Sequence, residues 1–265
     1  MILNPLTPQC GKVYLIGAGP GDPELLTFKA AKAIARATVL MVDDLVNPAI
    51  LQHAQPETRI IYVGKRGGCS STPQSAIESM MVQEALAGQI VARIKGGDPY
   101  IFGRGGEELA TLRAAGIECE VINGITSGLA AATQMNVPLT HRSYTQGVIF
   151  VTGHGQAVSD ANSAAVSVNW QALAASRMTL VIYMGMTHVV YIQKQLLNGG
   201  LPADTPAVVV QNASGGSGAG LSKQCFMTLG NLSDTIVQEG LKSPSIMIIG
   251  DVVHCGLSNF NHLNI

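Results

Sequence analysis

The segment Lys12-Val-Tyr-Leu-Ile-Gly-Ala-Gly-Pro-Gly-Asp-Pro23 decides the fold class of this chain. Its first part, Lys12–Ile16, has the apolar and β-branched residues typical of a buried strand. A glycine-rich turn at 17–21 follows at once, and the apolar residues of 24–36 then recur at helical spacing. A strand, a tight turn and a helix in this order predict the opening unit of an α/β domain with a largely parallel sheet.

The alternation of strands and helices continues along the chain. In the first half we predict strands at 38–42, 60–63, 90–94 and 119–122, and helices at 74–87, 107–115 and 126–135. In the second half we predict strands at 148–152, 179–183, 207–211 and 245–249, helices at 187–198 and 232–239, and loops at 153–168 and 212–220. We therefore expect an α/β protein with two lobes, an N-terminal lobe at 1–142 and a C-terminal lobe at 143–265, and a cofactor cleft between them.

Composition limits the classes of protein to consider. Hydrophobic residues make up 47% of the 265 residues and charged residues 12%, which argues against disorder. The net charge of −1 gives no basic field for nucleic-acid binding. The longest apolar runs are far shorter than the roughly 20 residues that span a membrane, and the first ten residues lack a signal-peptide pattern. Five cysteines without CxxC spacing and histidines without metal-ligand spacing predict a cytoplasmic protein without a metal site.

The first glycine turn is similar to a dinucleotide-binding fingerprint but departs from it at two positions. Asp22 stands where GxGxxG requires its third glycine, and Pro20 has no N–H to offer a phosphate. These departures disfavour a nicotinamide-dependent oxidoreductase, which is the rival hypothesis from another enzyme class. They favour a turn that lies beneath an uncharged nucleoside, although a tight turn with a purely structural role would also need its glycines.

A second glycine-rich segment, 95–108, follows the strand predicted at 90–94. Asp98 could accept hydrogen bonds from a ligand, or it could cap an Asp-Pro turn. Arg104, between glycines, could bind a carboxylate with its guanidinium, or it could pair on the surface with Glu107 or Glu108. Because ligands of parallel α/β sheets bind at the carboxyl ends of strands, we favour the ligand-binding alternatives here.

Two further loops contain charged residues whose role the sequence leaves open. Asp43 and Asp44 follow the strand predicted at 38–42, where a carboxylate could cap the backbone or transfer protons. The loop Gly64-Lys-Arg-Gly-Gly68 carries two cations that could bind an anionic ligand or could simply be solvated.

Taken together, these segments resemble the tetrapyrrole methylase family, and within it the members that act on uroporphyrinogen III. The likeness extends to about residue 250 and rests on VYLIGAGPGDPELLTFKA (13–30), VGKRGG (63–68), VARIKGGDPYIFGRGGEEL (91–109), GITSGLAAA (124–132), VPLTHR (137–142), VTGH (151–154) and VIYMGM (181–186). The resemblance implies two methylations by S-adenosylmethionine, at C2 and C7, that give precorrin-2 for sirohaem or cobalamin synthesis. It also implies a stand-alone homodimer. A later precorrin methylase, a diphthine-type methylase and a non-catalytic binding protein stay as alternatives.

The resemblance also implies roles for particular residues. Asp43, Lys65 and Arg104 would be catalytic, and Lys65, Arg104 and Glu107 would bind the substrate. The residues that would contact S-adenosylmethionine are Pro20, Gly96, Gly97, Asp98, Ile101, Thr126, Ser127, Met184 and Ala213. Three positions depart from the family's usual residues. Asn123 replaces a proline and is expected to loosen its turn, Asp44 replaces an arginine, and Ala213 replaces a glycine, which is tolerable only without a positive φ.

Overall fold

The structure is a computed structural model that describes residues 11–64, 72–153, 168–215 and 222–260. It divides into two compact units, one that ends at Thr126 and a second that begins at Ser127, with Gly215 grouped with the first. This division comes earlier in the chain than the lobe boundary expected at residue 142. Each unit contains one five-stranded sheet with helices, so the predicted α/β class with two lobes is confirmed.

The first unit is built on a sheet in which every pair of neighbouring strands is parallel. Its strands are β1 (Lys12–Gly17), β2 (Val39–Val42), β3 (Arg59–Tyr62), β4 (Ile90–Lys95) and β5 (Glu118–Ile122). Their order across the sheet is β3-β2-β4-β1-β5. Because all five strands run the same way, the loops that carry the predicted site residues of this unit leave the sheet at one edge.

Helices cover both faces of this sheet, as parallel sheets require. They are α1 (Phe28–Arg36), α2 (Gln74–Leu86) and α3 (Gly105–Ala114). Ile34 of α1 belongs to the core on one face, together with Leu40 of β2. Met81 of α2 and Leu112 of α3 belong to the core on the other face. Burial on both sides explains why the interior strand β2 is a continuous apolar run in the sequence, whereas β3 and β5 at the sheet edges include charged residues.

The second unit has a mixed sheet. Its strands are β6 (Val148–Thr152), β7 (Thr179–Tyr183), β8 (Pro206–Gln211), β9 (Lys223–Thr228) and β10 (Ser245–Ile249), in the order β6-β7-β10-β8-β9. The β6–β7 pair is parallel, and the other three pairs are antiparallel. Its helices are α4 (Ser127–Gln134), α5 (Trp170–Ser176), α6 (Val189–Asn198), α7 (Leu232–Gln238) and α8 (Val253–Phe260).

Most predicted elements are present within a few residues of their expected bounds. The sequence prediction missed β9, α5 and α8. It assigned α4 to the N-terminal lobe, whereas this helix contacts β7 and β10 of the second unit. Most of the predicted loop at 153–168 lies outside the described residues. Among those residues, no helix is both long enough and apolar enough to cross a bilayer.

Candidate functional site

Three glycine turns of the first unit lie in contact at the carboxyl edge of its sheet. The N–H of Gly19 donates to the carbonyl of Gly97 at 3.1 Å, and the N–H of Gly97 donates to the carbonyl of Gly19 at 2.7 Å. A Cβ added to Gly17 would lie 2.4 Å from the nitrogen of Gly124, and a Cβ added to Gly124 would lie 2.2 Å from the oxygen of Gly97. These backbones approach so closely that only glycine fits, and side chains are excluded from the contact.

Asp98 ties two of these turns together. Its Oδ1 accepts a hydrogen bond from the N–H of Tyr100 at 2.8 Å, and its Oδ2 accepts from the N–H of Gly124 at 3.1 Å and from the side-chain amide of Asn123 at 3.3 Å. Asp98 is buried. The carboxylate thus has the turn-forming role that the sequence left open. Asn123, which was expected to loosen its turn, adds a hydrogen bond to it instead.

The first glycine turn is arranged differently from a pyrophosphate cradle. Asp22 accepts a hydrogen bond from the N–H of Glu24 at 2.9 Å and opens a short 3-10 helix, Pro23–Leu25. The α-helix of this unit, α1, begins only at Phe28, where the Thr27 hydroxyl accepts from the N–H of Ala30, so the glycine turn does not lead directly into a helix N-terminus as a dinucleotide fingerprint does. Gly19 and Gly21 both have positive φ, 81° and 144°, and so take conformations that suit glycine. This geometry weighs against the rival dinucleotide hypothesis.

Asp43 lies directly after β2 and contacts a group of buried charged residues. Its Oδ2 accepts a hydrogen bond from Nη2 of Arg93 at 3.2 Å. Arg93 and Lys95 lie two residues apart on β4, and both donate to Oε1 of Glu108 on α3, at 3.1 and 2.9 Å. We call Arg93, Lys95 and Glu108 the buried charge cluster; the three residues are 1%, 3% and 0% exposed.

Burial dominates the electrostatics of this cluster. It lowers the pKa of Lys95 from the ordinary lysine value, and the positive charge of Arg93 lowers it further, whereas Glu108 opposes the shift. Two cations share one carboxylate oxygen; Arg93 also pairs with Asp43, whereas among the described residues Lys95 has its ion pair with Glu108. The sequence prediction did not single out these three residues. The sequence does contain a signal for two of them, because Arg93 and Lys95 are cations at alternate positions of an otherwise apolar strand.

Arg104 lies immediately before α3 in a left-handed conformation, with φ of 58°. Its Nε donates to Oε1 of Glu107 at 3.0 Å, and its Nη2 donates to Oε2 at 2.5 Å. This pair raises the pKa of Arg104 and lowers that of Glu107. Both side chains are 55% exposed. The surface pairing with Glu107 is therefore formed, and the guanidinium stays accessible to a further carboxylate.

The other predicted site residues lie near the ends of strands, or outside the described part of the chain. Gly96 and Ile101 belong to the segment after β4, while Thr126 and Ser127 stand at the start of α4. Met184, after β7, is half-exposed with φ of 52°, and Ala213, after β8, is buried without a positive φ, as its replacement of glycine requires. Lys65 lies outside the described residues. Within the part of the chain that the structure describes, no group of three or more metal-ligating side chains comes together.

The chain is similar to known proteins of one family. Residues 12–216 match the family described as tetrapyrrole (corrin/porphyrin) methylases. A uroporphyrinogen-III C-methyltransferase from Pseudomonas aeruginosa is 50% identical over 242 residues, which are 91% of this chain and 94% of that protein. Among solved structures, a uroporphyrin-III C-methyl transferase from Thermus thermophilus complexed with S-adenyl homocysteine is 36% identical, with a TM-score of 0.75 over 92% of this chain and 99% of that one. A cobalt precorrin-4 methyltransferase is 27% identical, with a TM-score of 0.78 over 91% and 95% of the two chains.

Proposed function

Because the chain belongs to the tetrapyrrole methylase family, we propose that it methylates uroporphyrinogen III with S-adenosylmethionine. Two transfers, at C2 and C7, give precorrin-2, which feeds sirohaem or cobalamin synthesis. The observation that carries this proposal is the identity of 50% with a uroporphyrinogen-III C-methyltransferase over nearly the whole length of both chains. The site geometry supports it, because a carboxylate and an accessible guanidinium stand at the edge of the sheet where the glycine turns meet.

The residues at this edge fit S-adenosylmethionine. The three turns approach one another at glycines, which leave backbone without side chains at those points. The first turn disfavours a pyrophosphate, so an uncharged nucleoside suits it better. When bound, S-adenosylmethionine supplies an electrophilic methyl group on a positively charged sulfur. We assign its binding to Pro20, Gly96, Gly97, Asp98, Ile101, Thr126, Ser127, Met184 and Ala213. Asp98 serves this binding by fixing the turns, through its bonds to Tyr100 and Gly124.

The substrate carries eight carboxylates, and we assign Arg104 to one of them. Arginine binds a carboxylate with two parallel hydrogen bonds, and Glu107 already holds the guanidinium in one orientation. We also assign Lys65 and Glu107 to the substrate. Fixing the macrocycle in line with the methyl group is the main catalytic contribution, since orientation of two reactants supplies up to about 7–11 kcal/mol.

Asp43 is assigned as the proton acceptor. A ring carbon forms its new bond to the methyl carbon, and the electrons of the sulfur–methyl bond stay on sulfur. The methylated ring is then cationic and loses a proton to the Asp43 carboxylate, which restores the electron pair to the ring. Proton transfer to a positioned base contributes about 10²–10⁴-fold to the rate of such reactions.

Anaerobic incubation with uroporphyrinogen III and S-adenosylmethionine, followed by mass spectrometry of the tetrapyrrole, tests the proposal. We expect a gain of two methyl groups and two equivalents of S-adenosylhomocysteine. An unchanged tetrapyrrole, in a protein that still binds S-adenosylhomocysteine, would contradict the substrate assignment. The likeness to cobalt precorrin-4 methyltransferase makes a later precorrin the second substrate to assay.

The family relation also supports two proposals about the state of the protein. We propose that it works as a homodimer and that it is located in the cytoplasm. Light scattering coupled to size-exclusion chromatography tests the first proposal, with a mass of twice 27.6 kDa as the expected result. Cell fractionation tests the second, with the protein expected in the fraction that contains cytoplasmic enzymes.

A further inference from the structure

We infer that Arg93 is a positioning residue for Asp43, and that the buried charge cluster anchors Arg93 for this purpose. The inference rests on the proposed function, because it concerns the group assigned there as proton acceptor. Its basis is a continuous chain of hydrogen bonds from Glu108, in the core, through Arg93 to the partly exposed carboxylate of Asp43.

All three nitrogens of the Arg93 guanidinium donate hydrogen bonds to protein groups. Nε donates to Oε1 of Glu108 at 3.1 Å, and Nη1 donates to the carbonyl of Ile94 at 3.2 Å and lies 3.5 Å from the carbonyl of Met41. Nη2 donates to Asp43. The side chain is 2% exposed and Asp43 is 36% exposed, so Arg93 meets Asp43 from the protein side and leaves the other side open to solvent.

Glu108 is the anchor of this arrangement. Its Oε1 accepts from Arg93, from Lys95 and from the amide of Gln74 at 3.2 Å, while its Oε2 has no hydrogen-bond partner among the described residues. Removing a carboxylate from water costs free energy. At Glu108, which accepts three hydrogen bonds on one oxygen, the two cations offset this cost only while they remain in place. The cluster therefore opposes any rotation of Arg93 that would break the hydrogen bond between its Nε and Glu108.

The orientation of Asp43 follows from this bond and from its backbone. Its N–H donates to the carbonyl of Ile94 at 3.1 Å, which fixes the main chain at the end of β2. Oδ2 is held by Arg93, and Oδ1 has no hydrogen bond within the ranges that the structure describes. Oδ1 is therefore the oxygen assigned to the substrate's proton.

The bond to Arg93 acts on catalysis through position, because it removes rotational freedom from the Asp43 carboxylate. A misplacement of about 1 Å in such a group costs about 10²-fold.

A double-mutant cycle tests whether Arg93 acts through Asp43. Arg93→Lys, Asp43→Asn and the double variant are assayed with uroporphyrinogen III, and S-adenosylhomocysteine binding is measured by calorimetry. We expect Arg93→Lys to lower kcat about 10–100-fold. The KM for S-adenosylmethionine and the affinity for S-adenosylhomocysteine should both stay within about twofold of the values for the unmutated protein. In the Asp43→Asn background the same change should lower kcat by less than about twofold, because the group that it positions is gone.

A matched control separates this role from a general effect on the core. Gln74→Leu removes one hydrogen bond to Glu108 without touching Arg93 or Asp43, and should leave kcat within about twofold. If Arg93→Lys fails to bind S-adenosylhomocysteine, the cycle is repeated with Glu108→Gln, which keeps Arg93 and weakens its anchor, and the same non-additivity is expected.

Equal losses of kcat in both backgrounds would overturn the inference, because Arg93 would then act independently of Asp43. An Asp43→Asn variant with wild-type kcat would overturn it as well. Failure of the proposed function has a different signature, since the unmutated protein would then yield no methylated uroporphyrinogen.

Discussion

At the scale of single residues, Asp98 shows how one buried side chain can hold the turns of a site together. It is buried, and both of its carboxylate oxygens accept hydrogen bonds from main-chain N–H groups or a side-chain amide of its own unit. Its loss would leave the N–H groups of Tyr100 and Gly124 without this acceptor. The two loops that it joins carry several of the residues assigned to the cofactor, so their separation would disturb binding indirectly.

We expect Asp98→Ala to lower the free energy of unfolding by about 2–4 kcal/mol, the cost of losing charged hydrogen bonds and stranding buried donors. Urea denaturation measures the stability, and calorimetry measures the affinity for S-adenosylhomocysteine, which should weaken in parallel. Asp22→Ala, which removes one exposed capping bond, is the control and should cost about 1 kcal/mol or less. A loss of affinity at unchanged stability would instead indicate a direct contact of Asp98 with the ligand.

The candidate site was only partly predictable residue by residue. Asp98 and Arg104 stand beside glycines and Asp43 directly follows a predicted strand, so their place at the carboxyl edge of the sheet follows from the sequence. That of Arg93 and Glu108 does not, because a bond between a strand and a helix 15 positions later depends on how α3 packs on β4. Charged residues within apolar segments are ordinarily placed at the surface, and only packing brought these two together in the core.

At the scale of elements, the glycine residues determine how closely the turns after β1, β4 and β5 can approach one another. We expect Gly124→Ala to destabilise the protein by about 3 kcal/mol or more, since its Cβ would lie 2.2 Å from the oxygen of Gly97 and backbone would have to move. Thermal and urea denaturation check this.

Gly106→Ala is the matched control, because nothing lies within 4 Å of the added Cβ and the residue is in the first turn of α3. This variant should gain about 0.5–1 kcal/mol from reduced freedom of the unfolded chain. Similar effects of the two substitutions would show that contact at the glycine turns is not what constrains residue 124.

Strand β5 carries a partly buried free cysteine, Cys119. Burial raises the pKa of the Cys119 thiol to about 11, so the thiolate is scarce at pH 8. We expect iodoacetamide to alkylate Cys119 about 10–30-fold more slowly in the folded protein than in urea, after allowance for the higher nucleophilicity of the more basic thiolate. The folded-state rate should rise with pH towards 11, since more thiolate forms. Peptide mass spectrometry measures both rates, and equal rates would contradict the burial of this thiol.

The elements themselves were predictable to the extent that their residues are apolar and bounded by glycine. Strands β6, β7 and β10 match their predicted bounds, because each is a short apolar run. Strand β9, Lys-Gln-Cys-Phe-Met-Thr at 223–228, begins with two exposed polar residues and lies at the edge of its sheet, so it lacks that pattern. The antiparallel pairings of β10 were also beyond prediction, since strand direction depends on the path of the chain in three dimensions.

At the scale of the whole molecule, the net charge of −1 provides no long-range attraction for a substrate with eight carboxylates. The proposed contact between Arg104 and a substrate carboxylate is local, and its attraction is screened as the Debye length falls from about 10 Å at 0.1 M salt to about 3 Å at 1 M. We expect KM for uroporphyrinogen III to rise about 3–10-fold over this range, and KM for S-adenosylmethionine to change less than about twofold.

Steady-state kinetics at several salt concentrations check this expectation. Arg104→Ala should raise KM for uroporphyrinogen III at low salt and should make it less dependent on salt than in the unmutated protein. Because Arg104 and Glu107 are exposed, the melting temperature should hardly change. The same salt dependence with and without Arg104 would assign the carboxylate contact to other residues.

The order of strands in the first sheet has a consequence for synthesis on the ribosome. Strand β1 emerges first but lies between β4 and β5, so Lys12 pairs with Ile90 and Glu118. At roughly 5–20 residues per second, β1 waits roughly 5–20 s before both neighbours have been made. Until β4 has been made, its apolar residues have no neighbouring strand of the sheet with which to pair. The nascent chain therefore presents a ready binding segment to chaperones at the ribosomal exit, and its yield in cells should depend on them more than its final stability would suggest.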